Sequence, residues 1–248
     1  MDFSGKTAVI TGAASGMGAA TAREFRAAGG NVVIVDRNEP LAKTVAAEIG
    51  AGEPMIGDVG ESAFCQQAVD AALERYGRLD VLVNAAGSIV RAAGADTSDA
   101  DWQRIMNVNV NGVFYMSRAA IAPMKKQGSG AIINFGSIWG SVGAAGVAAY
   151  CASKGAVHQL TRAMALDHTH DGIRINAVCP GEVITPMRSS ERAEPVTEEM
   201  LAALAATVPM GRLAEPVEIA RVVLFLASEG ASYMTGAMIN VDAGFTAR

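Results

Sequence analysis

The sequence predicts an α/β domain on a doubly wound parallel sheet of about seven strands, flanked by helices on both faces. Three observations carry that prediction. Short β-branched runs alternate with longer Ala-rich stretches of helical period along the whole chain, the order that a parallel sheet with crossover helices requires. Several of these runs are apolar throughout rather than alternating, as strands covered on both faces are. A glycine-rich turn, Gly12 to Gly18, joins the first run to the first helical stretch.

In chain order, a strand at Thr7 to Ile10 passes through that turn into a helix at Gly16 to Ala28. A strand at Asn31 to Val35, a helix at Pro40 to Ile49 and a strand at Glu53 to Ile56 follow, then a helix at Glu61 to Tyr76 and a strand at Leu79 to Val83. The next helical stretch is the longest, Asp99 to Lys126, with Asp99 placed to cap it because Ser98-Asp99 precedes Trp102, Ile105 and Met106. A strand at Ala131 to Asn134, a helix at Ala148 to His168 and a strand at Ile173 to Val178 continue the alternation. Gly181 to Pro209 interrupts it with three prolines and the charged run Glu191 to Glu194, and such a segment after a strand's carboxyl end is read as a lid insert near 181–210. A helix at Pro216 to Ala227 and a strand at Ala237 to Val241 close the chain.

The 248 residues carry 20 Lys plus Arg against 25 Asp plus Glu, a formal charge of −5. That balance offers no phosphate-neutralising surface, so no nucleic-acid partner is expected. No linker, composition break or repeat divides the chain, so residues 1–248 are expected to form one domain. Apolar runs such as Val222 to Ala227 stop far short of the ~18 residues of a membrane span, and no secretory segment is visible at the start. Cys65, Cys151 and Cys179 are odd in number without paired spacing, which argues against disulfides and a zinc site. His158, His168 and His170 share no ligand spacing and read as helix-surface residues, so no metal is expected. The cytoplasm is the expected location.

Gly12, Ser15, Gly16, Met17 and Gly18 make up a strand-to-helix turn in which glycines let the backbone approach a pyrophosphate and free helix N–H groups attract its charge. This is the Rossmann-like arrangement. Asp36, at the end of the second strand and roughly 20 residues beyond the turn, is placed to accept hydrogen bonds from ribose hydroxyls and to repel a 2′-phosphate. It favours NAD over NADP, although Asp36 can also be read as a helix cap. Arg37 beside it either softens the preference or is an ordinary surface charge.

Tyr150 and Lys154 stand four residues apart in a helical stretch, so both emerge on one face, where an ammonium can lower the phenol's pKa. Alone, the pair reads as a packed tyrosine beside a solvated lysine. Ser137, however, follows the fifth strand, and its hydroxyl and the Tyr150 phenol can both reach one substrate oxygen at the sheet's carboxyl edge.

The set resembles the short-chain dehydrogenase/reductase family over essentially the whole chain. The matching positions are Thr11 to Gly18, Asp36, Asp58-Val59, Asn84-Ala85-Ala86-Gly87, Asn109, Ser137, Tyr150, Lys154, and Pro180-Gly181 followed by Val183 and Thr185. Ala85 departs from the family's usual Asn, and Ala243 stands where relatives often carry Gly. The resemblance implies that Tyr150 exchanges a proton with the substrate oxygen while hydride passes to or from a nicotinamide. It further implies that Lys154 lowers the phenol's pKa and holds the nicotinamide ribose, that Ser137 orients the substrate oxygen, and that Asn109 anchors a proton-relaying water. Asp58 and Val59 would touch the adenine, and Thr185 the carboxamide.

The expected substrate is a small or medium secondary alcohol or ketone, in a modest uncharged pocket lined by Ser88, Ile89, Ser137, Ser141, Val142, Gly143 and Tyr150. The nearest alternative is an NADPH-dependent 3-oxoacyl-[acyl-carrier-protein] reductase, for which Arg188, Arg192 and Arg212 would have to offer an acidic carrier a basic surface. A non-catalytic NAD-binding sensor or scaffold is the alternative of another class, and the intact Ser137, Tyr150 and Lys154 count against it. Small residues on several faces of the stretches at 99–126 and 148–168 suit subunit packing, and the resemblance implies dimers or tetramers, so a homotetramer is expected.

Overall fold

Residues that alternate along each strand face opposite sides of a sheet, and here both sides are apolar and both are covered. The computed structural model describes residues 1–190 and 194–247. Within these, the strands are β1 (Thr7–Thr11), β2 (Asn31–Asp36), β3 (Met55–Ile56), β4 (Val81–Asn84), β5 (Gly130–Phe135), β6 (Ile173–Pro180) and β7 (Met238–Val241). They pair in parallel in the order β3-β2-β1-β4-β5-β6-β7.

Ala8, Ile10, Ile34, Val83 and Ile133 pack beneath α1 (Gly16–Ala27), α2 (Glu39–Ile49) and α8 (Pro216–Ala227). Val9, Val33, Leu82, Ile132 and Ile175 pack beneath α3 (Ser62–Tyr76), α5 (Gly112–Gln127) and α6 (Ala148–His168). The chain reverses its winding between β1 and β4, whose carboxyl ends meet with Thr11 opposite Asn84. A crevice opens at such a switch point.

Four expectations need correction. The long helix at 99–126 is interrupted: α4 (Asp99–Met106) gives way to a π-helical turn at Asn107–Asn111 before α5. Asparagines compete with helical backbone hydrogen bonding, and the wider turn lets Asn109 point inward. Ser98, not Asp99, caps α4, its side chain accepting from the Asp101 N–H at 3.1 Å. The third strand shrinks to two residues after Gly52 and Pro54. Finally, the insert contains a helix, α7 (Glu198–Thr207). Thr197 caps it by accepting from the Met200 N–H, and Glu198 and Glu199 complement its dipole, a start signal that the surrounding prolines obscured.

The stem of the insert is pinned by reciprocal bonds, from Ile184 N–H to the Ala214 carbonyl and from Ala214 N–H to the Glu182 carbonyl, both 2.9 Å. Of the charged run, Glu191 and Arg192 lie outside the described residues. No helix among the described residues is long and apolar enough to cross a membrane, and these residues contain no cluster able to hold a metal ion.

Candidate active site

At the switch point, Gly12 adopts φ +64°, and a Cβ there would lie 2.7 Å from the Ala86 nitrogen, so only glycine allows the turn to pass so close to β4. Ser15 is extended at the start of α1 and makes no side-chain cap, and no acidic residue occupies the first turn. The first N–H groups of α1 therefore lack a side-chain acceptor, and Gly16, Met17 and Gly18 line a cleft of about 290 Å³. Thr11, which the motif reading did not assign a role, draws the two loops together. Its hydroxyl accepts from the Ala85 and Ala86 N–H groups at 3.1 Å each and lies 3.4 Å from the Val83 carbonyl.

The same cleft is bordered by Asp36, Arg37, Asp58, Val59, Ala85, Ala86, Gly87, Ser88 and Thr185. Asp36 accepts from the Ala14 N–H at 3.0 Å and the Asn38 N–H at 2.9 Å, which fixes its carboxylate at the cleft wall with lone pairs to spare. Arg37 is exposed beside it. These residues fit a dinucleotide: an uncapped helix start suits the pyrophosphate and the Asp36 carboxylate suits ribose hydroxyls. Asn84 does not reach the cleft through its side chain. It is buried and donates to Asn134 Oδ1 at 2.9 Å and Ser117 Oγ at 3.1 Å, tying β4 to β5 and α5.

A second cavity, of about 230 Å³, adjoins this cleft and brings together Ser137, Tyr150 and Lys154 with Pro180, Gly181, Val183 and Thr185. Ser137 lies two residues beyond the end of β5, and its Oγ accepts from the Trp139 N–H at 3.1 Å. Trp139 stands edge-on to the Tyr150 ring, with centroids 6.1 Å apart. Ile89, Met187 and Leu204 add apolar wall, and Arg91, Glu182 and Arg188 add a charged one. Within it, Arg188 pairs with Glu182 at 2.5 Å. Glu182, Met187, Arg188 and Leu204 belong to the insert that was expected to line the pocket, whereas Arg91 and the charged character of the wall were not foreseen. Ser141 and Val142 are exposed and do not border the cavity, and Ser88 borders the first cleft instead.

Burial pushes the Tyr150 phenol up to about 12, the Ser137 hydroxyl hydrogen-bonding it and drawing it down, with Glu182 acting upward and Arg91 downward. Burial holds the Lys154 amine down to about 8. Its Nζ lies 5.6 Å from the Tyr150 ring centroid and donates to the Phe135 carbonyl at 2.7 Å. The Lys154 hydrogen bond goes to the backbone rather than to the phenol, so it is not the main influence drawing the phenol down. Ser137 supplies the main one.

Asn109 is wholly buried, and its side chain is fully engaged: Oδ1 accepts from the Ser88 N–H at 2.8 Å, and Nδ2 donates to the Ser88 carbonyl and Ser153 Oγ at 2.9 Å each. It clamps the turn that borders the cleft to α6. His158, expected on a helix surface, is instead only 2% exposed, behind Ser137. α6 packs closely on β6, and the period of an Ala-rich helix did not reveal which face was inward.

Fold and site together define a dinucleotide-binding oxidoreductase of the doubly wound α/β class. A family model described as enoyl-(acyl carrier protein) reductase matches residues 12–246. The meso-2,3-butanediol dehydrogenase of Serratia marcescens is 43% identical over 249 residues, covering 100% of this chain and 97% of its own. The galactitol 2-dehydrogenase (L-tagatose-forming) of Cereibacter sphaeroides is 41% identical, covering 98% of this chain and 95% of its own. Among solved structures, the 3-ketoacyl-(acyl-carrier-protein) reductase of Brucella melitensis complexed with NADH superposes with a TM-score of 0.92 at 35% identity, covering 98% of this chain and 99% of its own. The chain belongs to the short-chain dehydrogenase/reductase family, whose members are oxidoreductases acting on CH–OH groups with NAD(P).

Proposed function

We propose that this protein interconverts a small or medium secondary alcohol and its ketone, using NAD(H) in preference to NADP(H). The observation that carries the reading is the convergence of Ser137, Tyr150 and Lys154 on one cavity that opens beside the uncapped start of α1. Tyr150 gives its proton to the substrate oxygen in reduction and takes it back in oxidation. Ser137 donates a hydrogen bond to that oxygen and stabilises its developing charge. Lys154, Thr185, Pro180, Gly181 and Val183 hold the nicotinamide end, and the residues of the first cleft hold the remainder. The bound dinucleotide supplies or accepts the hydride at the substrate carbon.

Asp36 supports the cofactor preference, because a carboxylate fixed at the end of β2 repels a 2′-phosphate. A cavity of about 230 Å³, at or below the ~300–1,000 Å³ of common ligand sites, supports a small substrate. The butanediol and galactitol dehydrogenases support an alcohol. An acyl-carrier-protein substrate is less well served: among the described residues, Arg188 pairs with Glu182 and Arg212 with Glu218, so these two candidate contacts to an acidic carrier are neutralised.

The further readings are one domain with residues 181–210 as its lid, a cytoplasmic location supported by three free cysteines, and a homotetramer built on α4 to α6. Secondary alcohols and ketones assayed with NAD(H) and NADP(H) in parallel, by nicotinamide absorbance, test the proposal. Turnover with NAD(H) favoured is expected; equal use of NADPH removes the Asp36 argument, and no turnover of any secondary alcohol or ketone removes the function.

A further inference from the structure

We infer that His158 is a positioning residue for Ser137: its Nε2 accepts the Ser137 backbone N–H, and its Nδ1–H is donated to the Ser141 hydroxyl. The inference rests on the reading of Ser137 as the donor to the substrate oxygen. Ser137 N and His158 Nε2 are 3.4 Å apart, and Ser141 Oγ and Nδ1 are also 3.4 Å apart. A backbone N–H can only donate, so Nε2 must carry a lone pair, and the neutral ring then bears its hydrogen on Nδ1.

Cys179 Sγ, 3.3 Å from the same Nε2, agrees with that assignment. Burial pushes this thiol up to about 11, so it remains a donor. Burial holds the ring's pKa down to about 4, Arg162 and Lys154, both on α6, act in the same direction, and a hydrogen bond with the Ser137 backbone acts upward.

The surroundings are shaped for the ring. A Cβ on Gly136 would lie 2.5 Å from Nε2, and one on Gly140 would lie 2.5 Å from Cε1. The imidazole thus fills the space that side chains at these two positions would take, on either side of Ser137. With its N–H held by His158 and its Oγ accepting from Trp139, Ser137 has its one hydroxyl hydrogen left for the phenol oxygen or, when substrate is bound, for the substrate oxygen. A hydrogen bond worth little to stability can be worth much to rate when it fixes a donor's position.

Two measurements on the full chain test this. Long-range ¹H–¹⁵N spectra of the imidazoles, with His168→Gln and His170→Gln variants for assignment, are expected to show His158 as the Nδ1–H tautomer and still neutral well below pH 6.5. An Nε2–H tautomer, or titration at the ordinary value, overturns the inference, and this reading needs no variant of His158 to fold. In kinetics, His158→Leu is expected to lower kcat on the order of 10- to 100-fold with dinucleotide affinity retained. His158→Gln, whose Oε1 can take the place of Nε2, is expected to recover most of it. Wild-type kcat in His158→Leu, or kcat falling in both variants only as far as their melting temperatures fall, overturns it. Ser137→Ala separates the two claims: if it abolishes turnover while His158→Leu does not, only this inference fails, and if it leaves turnover intact, the reading beneath it fails as well.

Discussion

Asn109→Ala is expected to act on stability and cofactor affinity, not on proton transfer alone. The substitution leaves the Ser88 N–H and carbonyl without their partners, while Ser153 Oγ keeps its 2.8 Å donation to the Tyr150 carbonyl. Orphaning a buried backbone group costs about 1–3 kcal/mol, so the two together cost roughly 2–6 kcal/mol, with the lower half favoured because Ser88 is only half-buried. For a domain of this size each kcal/mol moves Tm by about 2–4 °C, which places the loss on the order of 5–15 °C. Release of Ser88 also loosens the Gly87–Ser88 edge of the cleft, so dinucleotide affinity should fall with it. Differential scanning calorimetry and fluorescence titration with dinucleotide measure both. An unchanged Tm together with a reduced kcat would refute the clamp and return Asn109 to the water-anchoring role that the family resemblance implies.

Tyr150→Phe is expected to reduce kcat by roughly 10²–10⁴-fold while dinucleotide titration remains as in wild type, if the hydroxyl is the proton donor proposed above. Asp36→Ser should raise kcat/KM with NADPH relative to NADH, and an unchanged ratio would show that the carboxylate does not set the preference. His158 carries a linkage prediction. Its folded pKa lies below its unfolded value, so the unfolded state binds more protons between about 4 and 6.5, and stability falls as pH drops through that window. At most about 3 kcal/mol is at stake, and thermal unfolding from pH 7 to pH 4 should show a shallower loss in His158→Gln than in wild type. Lys154, held down to about 8 by burial, has the same sign higher up: stability should rise as pH climbs from about 8 toward 10.5, and Lys154→Met should remove that rise.

Sequence by itself determined the class of sheet, because strands covered on both faces must be apolar throughout and glycines at a strand-to-helix turn leave a fixed signature, as Gly12 to Gly18 do. It also pointed to Ser137, Tyr150, Lys154 and Asp36, and the structure brings the first three to one cavity and Asp36 to the adjoining cleft. What it could not carry was decided by contacts between segments far apart in the chain. The break at Asn107–Asn111 depends on Asn109 finding Ser88 and Ser153, the burial of His158 depends on α6 meeting β5 and β6, and the charged wall joins Arg91 to Glu182 and Arg188. Burial also raises the Tyr150 phenol and lowers the Lys154 amine, and no local spacing records burial.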